Sequence, residues 1–217
     1  VLKDLAVQSG VKFDIHFSLT TVDPPELLRY IKEHHPEVEW HRPKIGMFAL
    51  IVKKRMPPTR IVRYCCDVMK EGGGKGRTLL TGVRWAESAR RSRRMMYERC
   101  RRDGSKVFLH PIIDWTDAEV WEYITWRKLP YCSLYDEGWK RIGCIGCPMA
   151  DREREFARWP RFERAWKRAI CQAAEKRIAD EIPWNSPGPE KLTSGEAMWN
   201  WWMADNKATQ ENQCTLF

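Results

Sequence analysis

Four cysteines lie in two short stretches where their spacing suits the binding of a metal ion or cluster. In RIGCIGCPMA, Cys144 and Cys147 are separated by two residues, and in RYCCDVMK, Cys65 directly precedes Cys66. A two-residue separation lets both sulfurs face one metal centre. If all four thiols meet in the fold, the protein is a candidate for redox or sulfur chemistry.

The glycines around the second pair predict a tight turn. Gly143 and Gly146 precede the two cysteines, and Pro148 follows them. Backbone N–H groups in such a turn can face the sulfurs and tune a bound cluster. The turn therefore favours metal binding over the alternative of two buried thiols, which is the interpretation we prefer for the isolated Cys100 and Cys171.

The adjacent pair, Cys65 and Cys66, favours a cluster over a single ion. Neighbouring residues on a helix diverge by about 100°, so two adjacent thiols suit one ion poorly but can bind two irons of a larger cluster. A structural zinc ion usually takes its ligands from two spaced pairs. The pattern thus predicts a cubane [4Fe–4S] cluster, with zinc as the less favoured occupant.

Composition and charge indicate a soluble chain with an anionic partner. The 217 residues are 43% hydrophobic and 31% charged, with a formal net charge of +9 and a pI near 9.2. No apolar run approaches the roughly 20 residues that cross a bilayer, so we expect no membrane contact and a cytoplasmic location. In a reducing compartment, clustered cysteines indicate metal ligands or catalytic thiols rather than disulfides.

The order of predicted elements indicates an α/β fold with a doubly wound parallel sheet. Helices are predicted at 1–9, 24–35, 46–54, 57–72 and 116–128, and strands at 11–19, 38–43, 78–83 and 107–112. The glycine-rich GGGKG lacks the spacing of a phosphate loop and is interpreted as a helix-to-strand connector. We expect a nucleotide-binding and cluster domain over 1–150 and a helical C-terminal region with a tail over 151–217.

Several blocks between residues 60 and 150 resemble one known family. The pattern CC-x3-K, with 77 residues between its second cysteine and a CxxC, resembles the cluster-binding pattern of assimilatory adenylylsulfate reductases. TGVRWAESARRS, PIIDWTDAEVWEYI and LPYCSLYDEGWKRIGCIGC are similar to further motifs of that family and occur in the same order. The chain is thereby identified as similar to the phosphoadenosine phosphosulfate (PAPS) and adenylylsulfate reductases, which have an adenine nucleotide α-hydrolase-like fold.

The resemblance implies roles for particular residues. Cluster ligation falls to Cys65, Cys66, Cys144 and Cys147.

Lys70 matches a family lysine near the cluster, and Arg84 lies after a strand end, where a guanidinium can bind phosphate or sulfate. Ser88 and Arg91 extend that segment, and His41 is a candidate nucleotide contact. Four of these residues also have an ordinary structural interpretation. Lys70 would be an exposed helix lysine, Ser88 a helix cap, Arg91 a solvated arginine and His41 a surface histidine.

Two features of the family are not matched. The Ser-Gly-Gly-Lys-Asp-Ser phosphate loop is absent, and we expect that the first strand and its loop are missing from this chain. The C-terminal Glu-Cys-Gly-Leu-His motif is also absent, and the tail cysteine is Cys214. This residue is the candidate nucleophile that would attack sulfur, with a thioredoxin-like reductant to resolve the intermediate. The alternative is an inert terminal cysteine.

Seven arginines between Arg90 and Arg102 exceed what one nucleotide needs. They indicate either a solvated helix face or contact with a nucleic-acid backbone. The leading prediction is a [4Fe–4S] enzyme that reduces activated sulfate to sulfite. The alternatives are an ATP-dependent sulfurtransferase acting on DNA or tRNA, and a non-catalytic nucleotide- or nucleic-acid-binding protein with a structural metal site.

Overall fold

The computed structural model describes residues 1–101, 104–184 and 193–204. Within these ranges the helices are α1 (Leu2–Gln8), α2 (Pro25–His34), α3 (Met47–Lys54), α4 (Tyr64–Met69), α5 (Asp117–Trp126), α6 (Arg152–Arg158), α7 (Pro160–Ala179) and α8 (Gly195–Ala204). The strands are β1 (His16–Ser18), β2 (Glu39–His41), β3 (Thr78–Leu80), β4 (Tyr97–Arg99) and β5 (Val107–Leu109).

The strands form two sheets that both contain a parallel pair. β1 pairs in parallel with β2, and β3 pairs in parallel with β5. The remaining strand, β4, lies antiparallel on the other side of β5. The predicted α/β class with parallel strands and a helical C-terminal region is confirmed.

The arginine-rich segment is not a helix, which corrects one of its two predicted interpretations. A short 3-10 turn over Arg91–Arg93 leads into β4. Glu98 in the centre of this strand pairs with Phe108 of β5. The high charge of the segment hid this strand, because a single short strand with charged residues on both sides gives no clear alternation.

The helix predicted over 57–72 is shorter than expected. Only α4 is helical, and the preceding residues form a turn in which the Thr59 amide donates to the Val62 carbonyl at 3.1 Å. Pro57 and Pro58 explain the difference, because proline has no N–H to donate and disfavours helical backbone in the residue before it. The Pro58 carbonyl instead accepts a hydrogen bond from the Trp202 indole at 2.8 Å.

The N-terminus of α5 is fixed by its sequence. The Thr116 hydroxyl accepts from the Glu119 amide, and the Glu119 carboxylate accepts from the Thr116 amide. This reciprocal pair is a capping box, which satisfies two amides that have no partner within the helix. The predicted helix over 116–128 with a threonine cap is confirmed.

The core is built largely from the C-terminal helices and α3. Trp166 of α7 stacks on Trp202 of α8 with ring centroids 4.9 Å apart, and Phe48 of α3 meets Trp166 edge-on. Buried residues from both sides of residue 150 belong to this one core. A division into 1–150 and 151–217 stays a prediction. In the part of the chain that the structure describes, no helix has the length and hydropathy to cross a membrane.

Candidate active site

The turn that carries the CxxC is held in place by the C-terminal helices. Gly146 has φ of +77°, and a Cβ there would lie 2.6 Å from the Trp166 ring. The Trp166 indole donates to the Ile145 carbonyl at 3.1 Å, and the Ile145 amide donates to the Val22 carbonyl at 2.8 Å. Only glycine fits both the backbone angle and the ring contact, so the sequence CIGC is matched to this tryptophan.

A buried carboxyl group completes the support of the turn. Glu155 of α6 is 6% exposed and accepts a hydrogen bond from the Gly146 amide at 2.6 Å. Burial raises the pKa of Glu155 to about 7, although this hydrogen bond acts in the opposite direction. The charge state of Glu155 therefore changes near neutral pH, next to the CxxC backbone.

The adjacent cysteines lie on the short helix α4. Cys65 is buried and Cys66 is half-buried. A hydrogen bond between them raises the pKa of Cys65 and lowers the pKa of Cys66, and the positive charges of Arg63 and Lys70 lower the pKa of Cys66 further. Cys66 is therefore the thiol of this pair that more readily forms a thiolate, which is the form that binds metal.

The structure brings the two cysteine pairs into one neighbourhood. After the contact with Cys66 and the effect of burial, the charges of Cys147 and Cys144 also raise the pKa of Cys65. Burial raises the pKa of Cys147 as well. In the described residues, the one set of three or more candidate ligand atoms within 4.8 Å of one another lies elsewhere, so no three of the four cysteine sulfurs are that close together.

Lys70 lies beside this group of sulfurs. Burial disfavours its charge, but the adjacent Cys144 sulfur, and then the charges of Asp23 and Cys66, raise the pKa of Lys70. The sequence placed Lys70 near the cysteines through the CC-x3-K pattern alone. The structure brings Lys70 close enough to Cys144 for the two groups to act on each other, and its part in binding a cluster or an anion stays a prediction.

Several guanidinium groups surround Arg91 in the neighbouring segment. Burial is the main cause of the lowered pKa of Arg91. The positive charges of four other arginines lower it further, namely Arg141, Arg94, Arg84 and Arg63. Arg63 and Arg141 also act on the cysteines, since they lower the pKa values of Cys66 and Cys147 respectively. The positive charge of these arginines therefore extends up to the cysteine pairs, and it would attract an anion to this region.

The TGVR segment places its residues in ion pairs and turns. Arg84 is 13% exposed and bonds to the Asp117 carboxylate at 2.5 Å and to the Trp115 carbonyl at 3.3 Å. Arg91 forms an ion pair with Glu87. The Ser88 hydroxyl accepts from the Arg91 amide at 3.3 Å. These contacts hold the segment in shape, so their role in substrate binding stays a prediction.

A cavity of about 980 Å³ opens beside Lys70 and the arginine segment. Its basic residues outnumber its acidic residues by eight to three. The basic ones are Lys70, Lys75, Arg90, Arg93, Arg94, Arg99, Arg101 and Lys106, and the acidic ones are Asp67, Glu71 and Glu98. The connector GGGKG also lines this cavity, and its position between α4 and β3 confirms that it joins a helix to a strand.

A buried histidine lies in the wall of this cavity. His110 is 1% exposed, and its Nδ1 lies 2.5 Å from the Thr81 hydroxyl while its Nε2 lies 3.2 Å from the Glu98 carboxylate. Glu98 also pairs with Arg94. Burial tends to raise the pKa of Glu98, but the bonds from Arg94 and His110 lower it. The network fixes Arg94 at the cavity wall.

Two predicted site residues lie apart from these contacts. His41 is exposed, and its contacts are with His16 and Glu39 of the β1–β2 pair. Cys214, the candidate nucleophile, lies outside the described residues. Neither residue is tested by the structure as a nucleotide contact or a nucleophile.

Sequence reasoning missed Arg63, Arg141, Glu155 and His110. Arg141 lies just before the CxxC turn. His110 lies within the strand predicted at 107–112 and directly follows β5, at a strand end where sites in α/β folds are found. Those two positions were signals that could have been used. Glu155 gave no signal, because only the packing of α6 against the turn makes it a buried group.

Comparison with known proteins identifies the family. A family model described as the phosphoadenosine phosphosulfate reductase domain matches residues 1–150. The chain belongs to this family. The match covers β1 to β5 and both cysteine pairs, and it confirms the family predicted from the motifs.

Two relatives share less than a third of their aligned residues with this chain. The chain is 31% identical over 167 residues to an adenosine 5'-phosphosulfate reductase of Staphylococcus haemolyticus, and the alignment covers 70% of this chain and 65% of that protein. It is 26% identical over 186 residues to an uncharacterised protein of Methanocaldococcus jannaschii, which covers 79% of this chain and 39% of that protein. The chain thus spans less than two thirds of the length of these two relatives.

A solved structure is also similar. The phosphate complex of PAPS reductase from Candida auris matches with a TM-score of 0.48 and 21% identity, over 66% of this chain and 75% of that one.

Proposed function

We propose that this chain is the nucleotide-binding and cluster part of an iron–sulfur sulfonucleotide reductase, which reduces activated sulfate to sulfite. The observation that carries the proposal is the position of Lys70, which lies beside the Cys144 sulfur and lines an arginine-rich cavity. It puts a cation between a thiol-rich site and a site for anions. The relatives named adenosine 5'-phosphosulfate reductase support the same substrate class.

The donor set fits an iron–sulfur cluster. Four thiols from α4 and the CxxC turn act on one another electrostatically, and Lys70, Arg63 and Arg141 offset the negative charge that four thiolates would bring. Around a single tetrahedral zinc ion, sulfurs at about 2.3 Å from the metal lie roughly 3.8 Å apart. No three of the four cysteine sulfurs lie within 4.8 Å of one another, which favours a cubane, in which each thiolate would bind a different iron. When bound, the cluster would supply an iron–sulfur centre whose charge Lys70 balances.

The cavity supplies what an activated sulfate requires. The guanidinium groups of Arg93 and Arg94 can bind sulfate or phosphate oxygens through paired hydrogen bonds. The network of His110, Glu98 and Arg94 holds one of these groups in position. Basic residues on several walls would neutralise the charge of the phosphosulfate and bring its sulfur towards Lys70.

The proposed reaction uses Cys214 as nucleophile. Its thiolate would attack the sulfur of the sulfonucleotide, the bond from sulfur to the phosphate oxygen would break, and the adenosine phosphate would leave. The product is a cysteine that carries the sulfonate group. A dithiol reductant of the thioredoxin type would then attack the cysteine sulfur, release sulfite and supply two electrons as its own thiols form a disulfide.

Sulfite release from labelled adenosine 5'-phosphosulfate and PAPS tests this function. We expect turnover with a dithiol reductant, a loss of at least 100-fold in Cys214→Ser, and a loss of tenfold or more in kcat/KM in Lys70→Ala. Lys12→Ala changes an exposed lysine outside the cavity and serves as the matched control. Absence of sulfite with both substrates would contradict the proposal.

A second candidate function rests on the extent of the basic wall. Five arginines of the segment 90–101 line the cavity, which is more positive charge than one nucleotide carries negative charge. A sulfurtransferase acting on DNA or tRNA would use such a wall for the nucleic-acid backbone. Binding to a tRNA or duplex DNA that weakens steeply between 50 and 200 mM salt, together with no sulfite release, would favour this function.

A further inference from the structure

Three potential metal ligands share one face of the β1–β2 pair. His16 begins β1 and is the register partner of Glu39, which begins β2, and His41 ends β2 two residues later. Because alternate residues of a strand point to the same face, Glu39 and His41 project from the same side. The cross-strand partner His16 projects from that side as well. Of these three residues, the sequence predicts a site role only for His41, as a nucleotide contact.

The ligand atoms of these residues converge. His16 Nδ1 lies 2.8 Å from His41 Nε2. The Glu39 carboxylate lies 3.6 Å from His16 Nδ1 and 3.7 Å from His41 Nε2. A tetrahedral zinc ion with bonds of about 2.0–2.2 Å separates its nitrogen and oxygen ligands by roughly 3.4 Å. The three observed distances bracket that value, so one ion fits among these atoms after small side-chain shifts.

The other nitrogen of His16 is held by a carboxylate. Asp14 lies 3.0 Å from His16 Nε2, and Arg77, which precedes β3, forms an ion pair with Asp14. A histidine that binds metal typically donates its second ring N–H to a carboxylate, which fixes its tautomer and orientation. The Arg77 guanidinium also lies 3.2 Å from the same His16 Nε2. In the tautomer in which Nε2 donates to Asp14, the lone pair of Nδ1 faces His41 and Glu39. Asp14 and Arg77 thus hold the ring of His16 from its outer side, with Nδ1 directed at His41 and Glu39.

We propose that His16, Glu39 and His41 form a binding site for a divalent transition metal ion of the zinc type, with Asp14 as a positioning residue. Imidazole and carboxylate ligands suit this class of ion, whereas thiolates suit an iron–sulfur cluster. The site is therefore chemically distinct from the cysteine site, and it does not depend on the proposed reductase activity.

The arrangement has two physical consequences. Three protein ligands leave a fourth position for water, as in zinc sites that exchange a ligand. The ion also joins β1 to β2, since one ligand comes from the first strand and two come from the second. An ion that binds only the folded chain stabilises it by mass action. Zinc should therefore raise the thermal stability of the protein.

Zinc titration of the full chain, combined with zinc K-edge absorption spectroscopy, tests the proposal. We expect one zinc ion in a nitrogen and oxygen environment at about 2.0–2.1 Å. His16→Ala and His41→Ala should each weaken this binding at least tenfold and abolish the zinc-dependent rise in Tm. Glu39→Gln should weaken it less, because an amide oxygen remains a weak ligand.

His34→Ala is the matched control, because His34 is an exposed histidine on α2 without a part in this group. It should bind zinc as the wild type does. Circular dichroism of each variant without zinc checks that the chain folds. Zinc found only with sulfur ligands at about 2.3 Å, or unchanged binding in His16→Ala and His41→Ala, would overturn the proposal.

Discussion

The two halves of the candidate active site are held in place by different forces. The CxxC turn rests on the buried ring of Trp166 and on the buried Glu155. The other half is the arginine wall, the side of the cavity lined by Arg90, Arg93, Arg94, Arg99 and Arg101. It is held by ion pairs, such as that between Arg94 and Glu98, and by strands of three residues. Packing fixes the geometry of the first half, and electrostatics fixes that of the second. The first should therefore respond to changes of volume, and the second to changes of charge and salt.

The largest effect is expected for a methyl group added to the turn. Gly146→Ala places a Cβ 2.6 Å from the Trp166 ring at a backbone φ of +77°. Strain and overpacking together should lower the free energy of unfolding by about 3 kcal/mol, and iron content should fall with it. Chemical denaturation and iron analysis measure both.

Gly143→Ala is the matched control for this change. No atom lies within 4 Å of a Cβ at Gly143, and its φ is not in the left-handed region. It should change the free energy of unfolding by less than about 1 kcal/mol. Equal losses in the two variants would show that the contact with Trp166 does not support the turn.

The pH dependence of stability should reveal Glu155. Its pKa in the folded chain is about 7, above its ordinary value of 4.5, so the folded state binds the proton more tightly than the unfolded state. Stability is then highest below pH 4.5 as far as this group is concerned, and it falls as pH rises towards 7. The loss should be about 3 kcal/mol, as measured by denaturation of the metal-free protein.

Glu155→Gln tests that assignment, because glutamine is uncharged at every pH. The difference in unfolding free energy between variant and wild type should change across pH 4.5 to 7 and stay level above it. A constant difference over the whole range would mean that Glu155 does not titrate there.

A charge removed from the arginine wall should affect binding and leave stability intact. Arg93→Ala should weaken the binding of adenosine 5'-phosphosulfate about tenfold, or about 1.4 kcal/mol, because Arg93 lines the cavity. The free energy of unfolding should change by less than about 0.5 kcal/mol. Calorimetry at 50 and 200 mM salt should show weaker binding at the higher concentration for the wild type.

Arg29→Ala removes the same charge from the exposed face of α2, away from the cavity. The affinity of this variant for adenosine 5'-phosphosulfate should match that of the wild type within twofold. If both variants weaken binding equally, net charge rather than the cavity controls affinity.

The smallest effect is expected at a surface ion pair between α3 and α7. Asp180→Ala removes the partner of Arg55, and both side chains are about two-fifths exposed. Exposed pairs contribute little, so the free energy of unfolding should fall by less than about 0.5 kcal/mol. A loss above 1 kcal/mol in urea denaturation would show that ion pairs also support the C-terminal helices.

The sequence predicted the α/β class, most of the elements and the family because those depend on local patterns. The helix at 116–128 was predicted from its threonine cap, and the position of Lys70 beside the cysteines from its spacing to Cys66. The sequence did not predict β4, because Tyr97–Arg99 becomes a strand only by pairing with β5.

The supports of the candidate site were also beyond the sequence. The fit of Gly146 to Trp166 joins positions 20 residues apart through the packing of α7. The convergence of His16 with His41 depends on the parallel register of β1 and β2. Local propensity carries no information on either contact, since both are set by tertiary packing.

Anaerobic purification of the wild type and of Cys144→Ser, followed by iron, sulfide and zinc analysis, tests the central claim most directly. We expect a brown wild-type protein with about four irons and four sulfides per chain, and loss of both in the variant. Cys171→Ser, which changes a cysteine on α7, should retain them. A wild-type protein with zinc on its cysteines and no iron, or a Cys144→Ser protein with its iron intact, would contradict it.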